Sequence, residues 1–136
     1  MTGPTKIAVA IRADLANWQQ LNVTAFLVSG IAATRPDTTG EPYQDASGTH
    51  YLPMFGQPVL VYTADAEALA KARERAVQRS LAVAVYTEEL FATGNDVDNR
   101  AAVAAVPAEK LALVGLAVYG PRNEVDKALR GLSLHP

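Results

Sequence analysis

The stretch PVLVYTADAEALAKARERAVQRSLAVAVY, Pro58–Tyr86, decides the fold. It opens with Pro58–Thr63, a β-branched apolar run of the kind found in strands buried on both faces. Asp65 follows, and an Asp here accepts from a free first-turn amide, so a helix is predicted over Ala66–Arg79. Ala66, Leu69, Ala70, Ala76 and Val77 are expected to form its inner face. Leu81–Tyr86 returns to strand character. Strand, helix and strand in direct succession make a crossover unit, which implies a sheet covered by helices.

The flanks repeat this grammar. Upstream, Lys6–Arg12 (KIAVAIR) reads as a buried strand, and Asn22 is expected to cap a helix over Val23–Ala33. That helix is apolar almost all round, which predicts deep packing, with Ala25, Ser29, Gly30, Ala32 and Ala33 allowing close approach to the sheet. Thr34–Gln57 is irregular, and Asp45–Gly48 reads as a tight turn joining short ribbons around Tyr43 and Tyr51. Downstream, Thr87–Gly94 is a turn or short helix. Asp96 or Asp98 starts a helix over Asn99–Ala105 that Pro107 closes. Leu111–Tyr119 is a fourth strand, Gly120-Pro121 a turn, and Asn123–Leu132 a last helix. The expectation is a single α/β domain over residues 1–136, a three-layer α/β/α sandwich with a four-stranded parallel or mixed sheet.

Composition narrows the functional classes. Apolar residues make up 49% of the 136 residues and charged residues 19%, so a large interior is expected. With no Cys, thiolate catalysis, disulfides and Cys-ligated zinc are excluded. No leader or membrane span is read, which makes the cytosol the expected compartment and excludes a membrane partner. The net charge of −2 disfavours RNA as a partner, since phosphate-backbone affinity comes chiefly from clustered Lys and Arg. No glycine-rich phosphate motif is present, so no cofactor is expected.

Several segments carry a family likeness. KIAVAIRADL (Lys6–Leu15), QPVLVYTADAEAL (Gln57–Leu69) and LALVGLAVYGPRNEVDKALRGLSL (Leu111–Leu134) resemble the archaeal and eukaryotic type of peptidyl-tRNA hydrolase. LNVTAFLVSG (Leu21–Gly30), GEPYQDASG (Gly40–Gly48) and YTEELFATGND (Tyr86–Asp96) resemble a bacterial family of uncharacterised proteins sharing the hydrolase fold. That likeness implies the hydrolase architecture and a homodimer. The departures matter as much. The resemblance implies a functional Lys where Asn22 stands and a Gln where Phe26 stands. An Asp-Ala-Gly-Arg-Thr turn matches Thr87-Glu88-Glu89-Leu90-Phe91, and Arg100 lies in an inserted segment. Losing the lysine removes a cation that an RNA-linked ester would need, so conventional peptidyl-tRNA hydrolase activity is not expected.

Ligands of open α/β sheets lie beyond the carboxyl ends of the strands. That places Arg12, Asp14, Asn22, Thr24 and Thr87 at a candidate binding edge, with Glu88 and Glu89 as candidate catalytic carboxylates. Arg122 joins them only if the fourth strand is parallel. Each has a plainer role: capping for Asn22 and Thr24, an ion pair for Arg12 and Asp14, a helix start for Glu88 and Glu89. Trp18 either stacks on a planar ligand or plugs the core or a dimer contact, and the second role is the expected one. His50, near Glu41 and Asp45, is read as a surface histidine, and no metal site is expected. Lys71, Arg75 and Arg79 form a stripe that Glu67 supports by ion pairing. Asn95–Arg100 is expected to cap a helix and lie over the site.

Three functions are weighed. The first is a small-ligand or translation-related binding protein. The second is a hydrolase of altered chemistry using Glu88 or Glu89 with Asn22 and Thr24. The third is a homodimeric interaction module.

Overall fold

The computed structural model describes residues 3–136. β1 (Thr5–Arg12) lies at the centre of a five-stranded sheet. It pairs in parallel with β4 (Val59–Ala64) and antiparallel with β6 (Leu113–Pro121). β5 (Ala82–Thr87) runs antiparallel to β6, and β7 (Ser133–Leu134) antiparallel to β4. The order is β5-β6-β1-β4-β7. The sheet is therefore mixed, and the expected four strands gain a fifth. The residues of β7 were expected outside any strand; their pairing along β4 satisfies backbone groups that a bare edge would leave open. β2 (Tyr43–Gln44) and β3 (His50–Tyr51) form a separate ribbon around the predicted Asp45 turn.

Two apolar clusters lie on the two sheet faces. Ala8 and Ala10 of β1 face one cluster with α2 (Ala66–Gln78) and α4 (Arg122–Ala128). Ile7, Val9 and Ile11 face the other, beneath α1 (Asn17–Thr34). The alternation follows from the two-residue period of the strand, and it is why Ile7–Ile11 reads as continuously apolar. Asp65 caps α2 as expected, accepting from Ala68 N at 2.8 Å. Its buried face is Leu69, Ala72 and Ala76, whereas Ala66, Ala70 and Val77 face solvent. The i, i+3, i+7 spacing of the buried three sets the inner stripe, and the other three fall outside it.

α1 corrects the sequence reading most. It begins six residues early, after Ala16, so Asn22 lies inside the helix and caps nothing. The start is set by Gln19, whose side chain accepts from the Ala16 amide at 3.0 Å, and by Leu15 anchored in the core. Nor is α1 deeply packed all round. Val23, Leu27 and Ile31 are buried, while Ala25, Ser29, Gly30, Ala32 and Ala33 are exposed. The close approach comes from the sheet: a Cβ on Gly115 would stand 2.8 Å from Val23 Cγ1 and 3.0 Å from Leu27 Cδ1.

α3 (Asp96–Ala104) is capped by Asn95, which accepts from Asp98 N, and not by Asp96 or Asp98. α4 is shorter than predicted because the chain turns at Gly131, whose φ of +92° suits glycine, before entering β7. Among the described residues no helix is long and apolar enough to cross a membrane.

Candidate functional site

The carboxyl ends of β1, β4 and β5 meet at a shallow hollow of about 360 Å³ lined by Arg12, Asp14, Asp65, Glu88 and neighbouring backbone. Arg12 Nε donates to Asp14 at 2.6 Å and a terminal guanidinium nitrogen to Glu88 at 2.6 Å. Bonding to Glu88, then to Asp14, raises the already high pKa of the guanidinium. Here the sequence reading brought the right partners together, but in the plainer role. Arg12 is consumed by two carboxylates, and Glu88 commits its carboxylate to that cation at a half-exposed position.

The other expected members are elsewhere. Thr24 lies within α1 and donates back to Gln20 O at 2.7 Å, as helical threonines do. Thr87 is fully buried beside a register shift between Tyr86 and Thr87, and its hydroxyl has no hydrogen-bond partner among the described residues. It cannot meet a ligand. Arg122 sits at the opposite end of the sheet, because β6 is antiparallel and pairs Pro121 with Thr5. Seven residues of β1 separate that end from Arg12, on the order of 23 Å at the usual strand rise. Glu89 is exposed beside the edge.

Asn22 belongs to a different place, a cleft of about 470 Å³ between α1, the turn after β5 and the start of α3. One wall is an α1 stripe, Trp18, Asn22 and Phe26, continued by Ser29. The opposite side is built by Tyr86, Phe91 and the polar segment around Asn95 and Asn99. The rings are linked in series. Trp18 meets Phe91 edge to face at 6.2 Å, Phe91 meets Tyr86 at 5.2 Å, and Tyr86 meets Phe26 edge to face at 5.8 Å. Trp18 is 63% and Phe26 52% exposed, so Trp18 does not plug the core.

The cleft's polar lining is mostly uncharged, with Asp96 its one carboxylate among the described residues. Asn22 approaches the Tyr86 hydroxyl; burial pushes that phenol above its ordinary value, and the hydrogen bond from Asn22 works the other way. Thr93 donates to the Asn99 side-chain oxygen, which fixes that amide. Asp96 accepts from Arg100 Nε at 2.9 Å. Among the described residues lining the cleft, none is Lys, Arg or His. The Asn95–Arg100 segment therefore caps α3 and, through Asn95, Asp96 and Asn99, forms a wall of the cleft that holds Asn22.

The sequence reading missed Phe26, Tyr86 and Phe91 as site residues. Trp18, Asn22 and Phe26 are spaced i, i+4, i+8, the signature of one helix face. The signal was hidden because the helix was started at Val23, which cut the stripe apart.

Other candidates resolve into structural roles. Lys71 pairs with Glu67 at 3.2 Å, Arg79 with Glu124 at 3.1 Å, and Arg75 donates to Arg130 O. Asp45 accepts from Ser47 N, Thr49 N and the Tyr51 hydroxyl, so the turn uses it fully. Among the described residues, no group of three His, Cys, Asp or Glu side chains stands close enough to hold a metal ion.

Comparison with known proteins adds kinship without chemistry. Residues 5–136 match the family model of a protein of unknown function, DUF2000. A solved structure of the protein of unknown function Atu0240, from the bacterium Agrobacterium tumefaciens strain C58, is similar at 44% identity with a TM-score of 0.95. The similarity covers 99% of this chain and 100% of that one. No curated protein matches the sequence.

Proposed function

The chain belongs to this family of proteins of unknown function, and from that premise we propose that it is a small-molecule-binding protein whose site is the Trp18–Asn22–Phe26 cleft. One observation carries the reading. Two large aromatic side chains stand more than half exposed at the mouth of a concave site, beside fixed amide groups. Ligand sites combine apolar walls with a few placed polar groups in this way, and a volume of about 470 Å³ falls within their range of about 300–1,000 Å³.

The hydrolase-like segments of the sequence belong to the same reading as a likeness of framework. Ester cleavage is not proposed. Asn22 supplies no charge, and Glu88 lines a separate hollow with Arg12. The purified protein is expected to leave a model peptidyl-tRNA intact, and efficient cleavage would overturn this part.

The site itself is tested by amide NMR of the labelled protein against a library of small fragments. Shifts gathering at the Trp18 indole and the Asn22 and Asn99 side-chain amides support the cleft. Shifts gathering at Arg12 and Glu88 overturn it.

A second reading has its own observation. α1 carries no charged residue over its 18 positions and exposes Leu21 at 73% outside the cleft. This favours self-association through α1 into the homodimer expected from the sequence. Sedimentation should give a dimer that Leu21→Glu dissociates; a monomeric parent protein would refute it.

A further inference from the structure

We infer that the cleft takes an uncharged planar nitrogen heterocycle, of nucleobase or nucleoside kind, and discriminates against the phosphorylated form. This rests on the cleft being the ligand site, and it adds the ligand's chemistry.

The aromatic series sets the shape. Trp18, Phe91, Tyr86 and Phe26 form one linked series of rings joining the two sides of the cleft, and its two end rings are the exposed ones. Edge-to-face packing uses the edges of some rings and the faces of others, leaving outer faces open to a flat partner. Stacking of a base on such rings tolerates any base, because every base has a π-face.

The polar groups set the edge chemistry. Asn22 and Asn99 reach the cleft as neutral amides. An amide both donates and accepts, which matches the mixed ring nitrogens, amino groups and carbonyls around a heterocycle. Thr93 and Tyr86 use only part of each amide's capacity, and an aliphatic ligand of the same size would displace water from the remainder without replacing its hydrogen bonds, at a cost in affinity.

Charge sets the discrimination. Phosphate recognition uses Arg or Lys forks, and no described residue lining the cleft is a cation. The charged residue there is Asp96, whose carboxylate would oppose a phosphate. It is also bonded to Arg100, which partly offsets its charge and removes the main reason to prefer a cationic ligand. Arg100 lines the adjoining hollow beyond Asp96 and Asn99 with its guanidinium on Asp96, and Arg12 lines a separate hollow and is held by two carboxylates.

Trp18 is the chain's single tryptophan, so its fluorescence reports directly on the cleft. The test titrates the full-length protein with adenosine, guanosine, cytidine and uridine, and with the 5′-monophosphate of each. At least one nucleoside should quench saturably, with its monophosphate bound at least roughly ten-fold more weakly, or about 1.4 kcal/mol. Phe26→Ala should lower nucleoside affinity about ten-fold, the scale of one stacking contact. Asn22→Lys should reverse the order and favour the monophosphate. Failure of all four nucleosides to quench saturably, or a monophosphate that binds the parent protein as tightly as its nucleoside, overturns the ligand class. The fragment map separates the two claims: fragments of other chemistry seated in the cleft defeat only the ligand class, and fragments gathering at the Arg12 edge defeat both.

Discussion

Two regions near the same end of β1 treat their side chains in opposite ways. At the Arg12 edge, Arg12 meets Asp14 and Glu88 at 2.6 Å each while Asp65 caps α2, and the hollow between them is shallow. At the Trp18 cleft, large apolar rings stand in water with no partner large enough to cover them. A saturated ion-pair cluster has little left to offer a ligand. An exposed aromatic wall gains by burial at roughly 25 cal/mol per Å² once something flat arrives. The charged edge attracts attention in the sequence because carboxylates and arginines are the usual currency of catalysis, but the unspent surface lies in the cleft.

The contrast can be broken most forcefully from below. Leu27 is buried under α1, one position along from Phe26, which is half exposed on the cleft face. Leu27→Ala should cost about 2–5 kcal/mol of unfolding free energy in urea. Phe26→Ala should cost well under that and still weaken the ligand. Equal losses of stability would mean that the cleft face is structural.

The edge makes its own prediction through Thr87. Its buried hydroxyl lacks a partner among the described residues, and such a group costs about 1–3 kcal/mol. Thr87→Val keeps the shape and removes the hydroxyl, so chemical denaturation should show a gain of about 1 kcal/mol. A clear loss would reveal a hidden partner for Thr87 at the edge.

Arg12→Met tests whether the ion pairs matter. Asp14 is largely exposed and Glu88 is half exposed, so a change of about 0–1 kcal/mol is expected, shrinking with added salt. A loss above 2 kcal/mol would show the edge to be a built centre after all.

The smallest effect lies at the ribbon turn. The Tyr51 hydroxyl, donating to Asp45, and the Thr49 amide hold that carboxyl below its ordinary value of 3.8. A carboxyl depressed in the folded state contributes stability above its unfolded pKa, and that contribution is lost as the pH falls through the folded value. An NMR titration should find Asp45 below 3.8, and Tyr51→Phe should move it back up. An unchanged midpoint would remove Tyr51 as the cause.

Much of the fold was legible because buried strands advertise themselves. Lys6–Arg12, Pro58–Thr63 and Leu81–Tyr86 each read as strands within a residue or so of the observed bounds. Asp65 announced α2 because its carboxylate does what a cap requires. Strand direction was not legible. The antiparallel run of β6 depends on the connection through α3, and it carried Arg122 to the far end. The start of α1 was obscured because no side chain of the usual capping type marks it; Ala16 has none to offer, and Gln19 does the work from inside. Once Asn22 was read as a cap, it attached itself to the wrong neighbours. The cleft therefore stayed hidden even though Trp18, Asn22 and Phe26 were all in view.

The most direct test compares two variants against the parent protein by quenching of Trp18 fluorescence with the nucleoside that binds best. The account predicts that Arg12→Met binds as the parent does and that Phe26→Ala loses about ten-fold in affinity. Binding lost in Arg12→Met and retained in Phe26→Ala would contradict it.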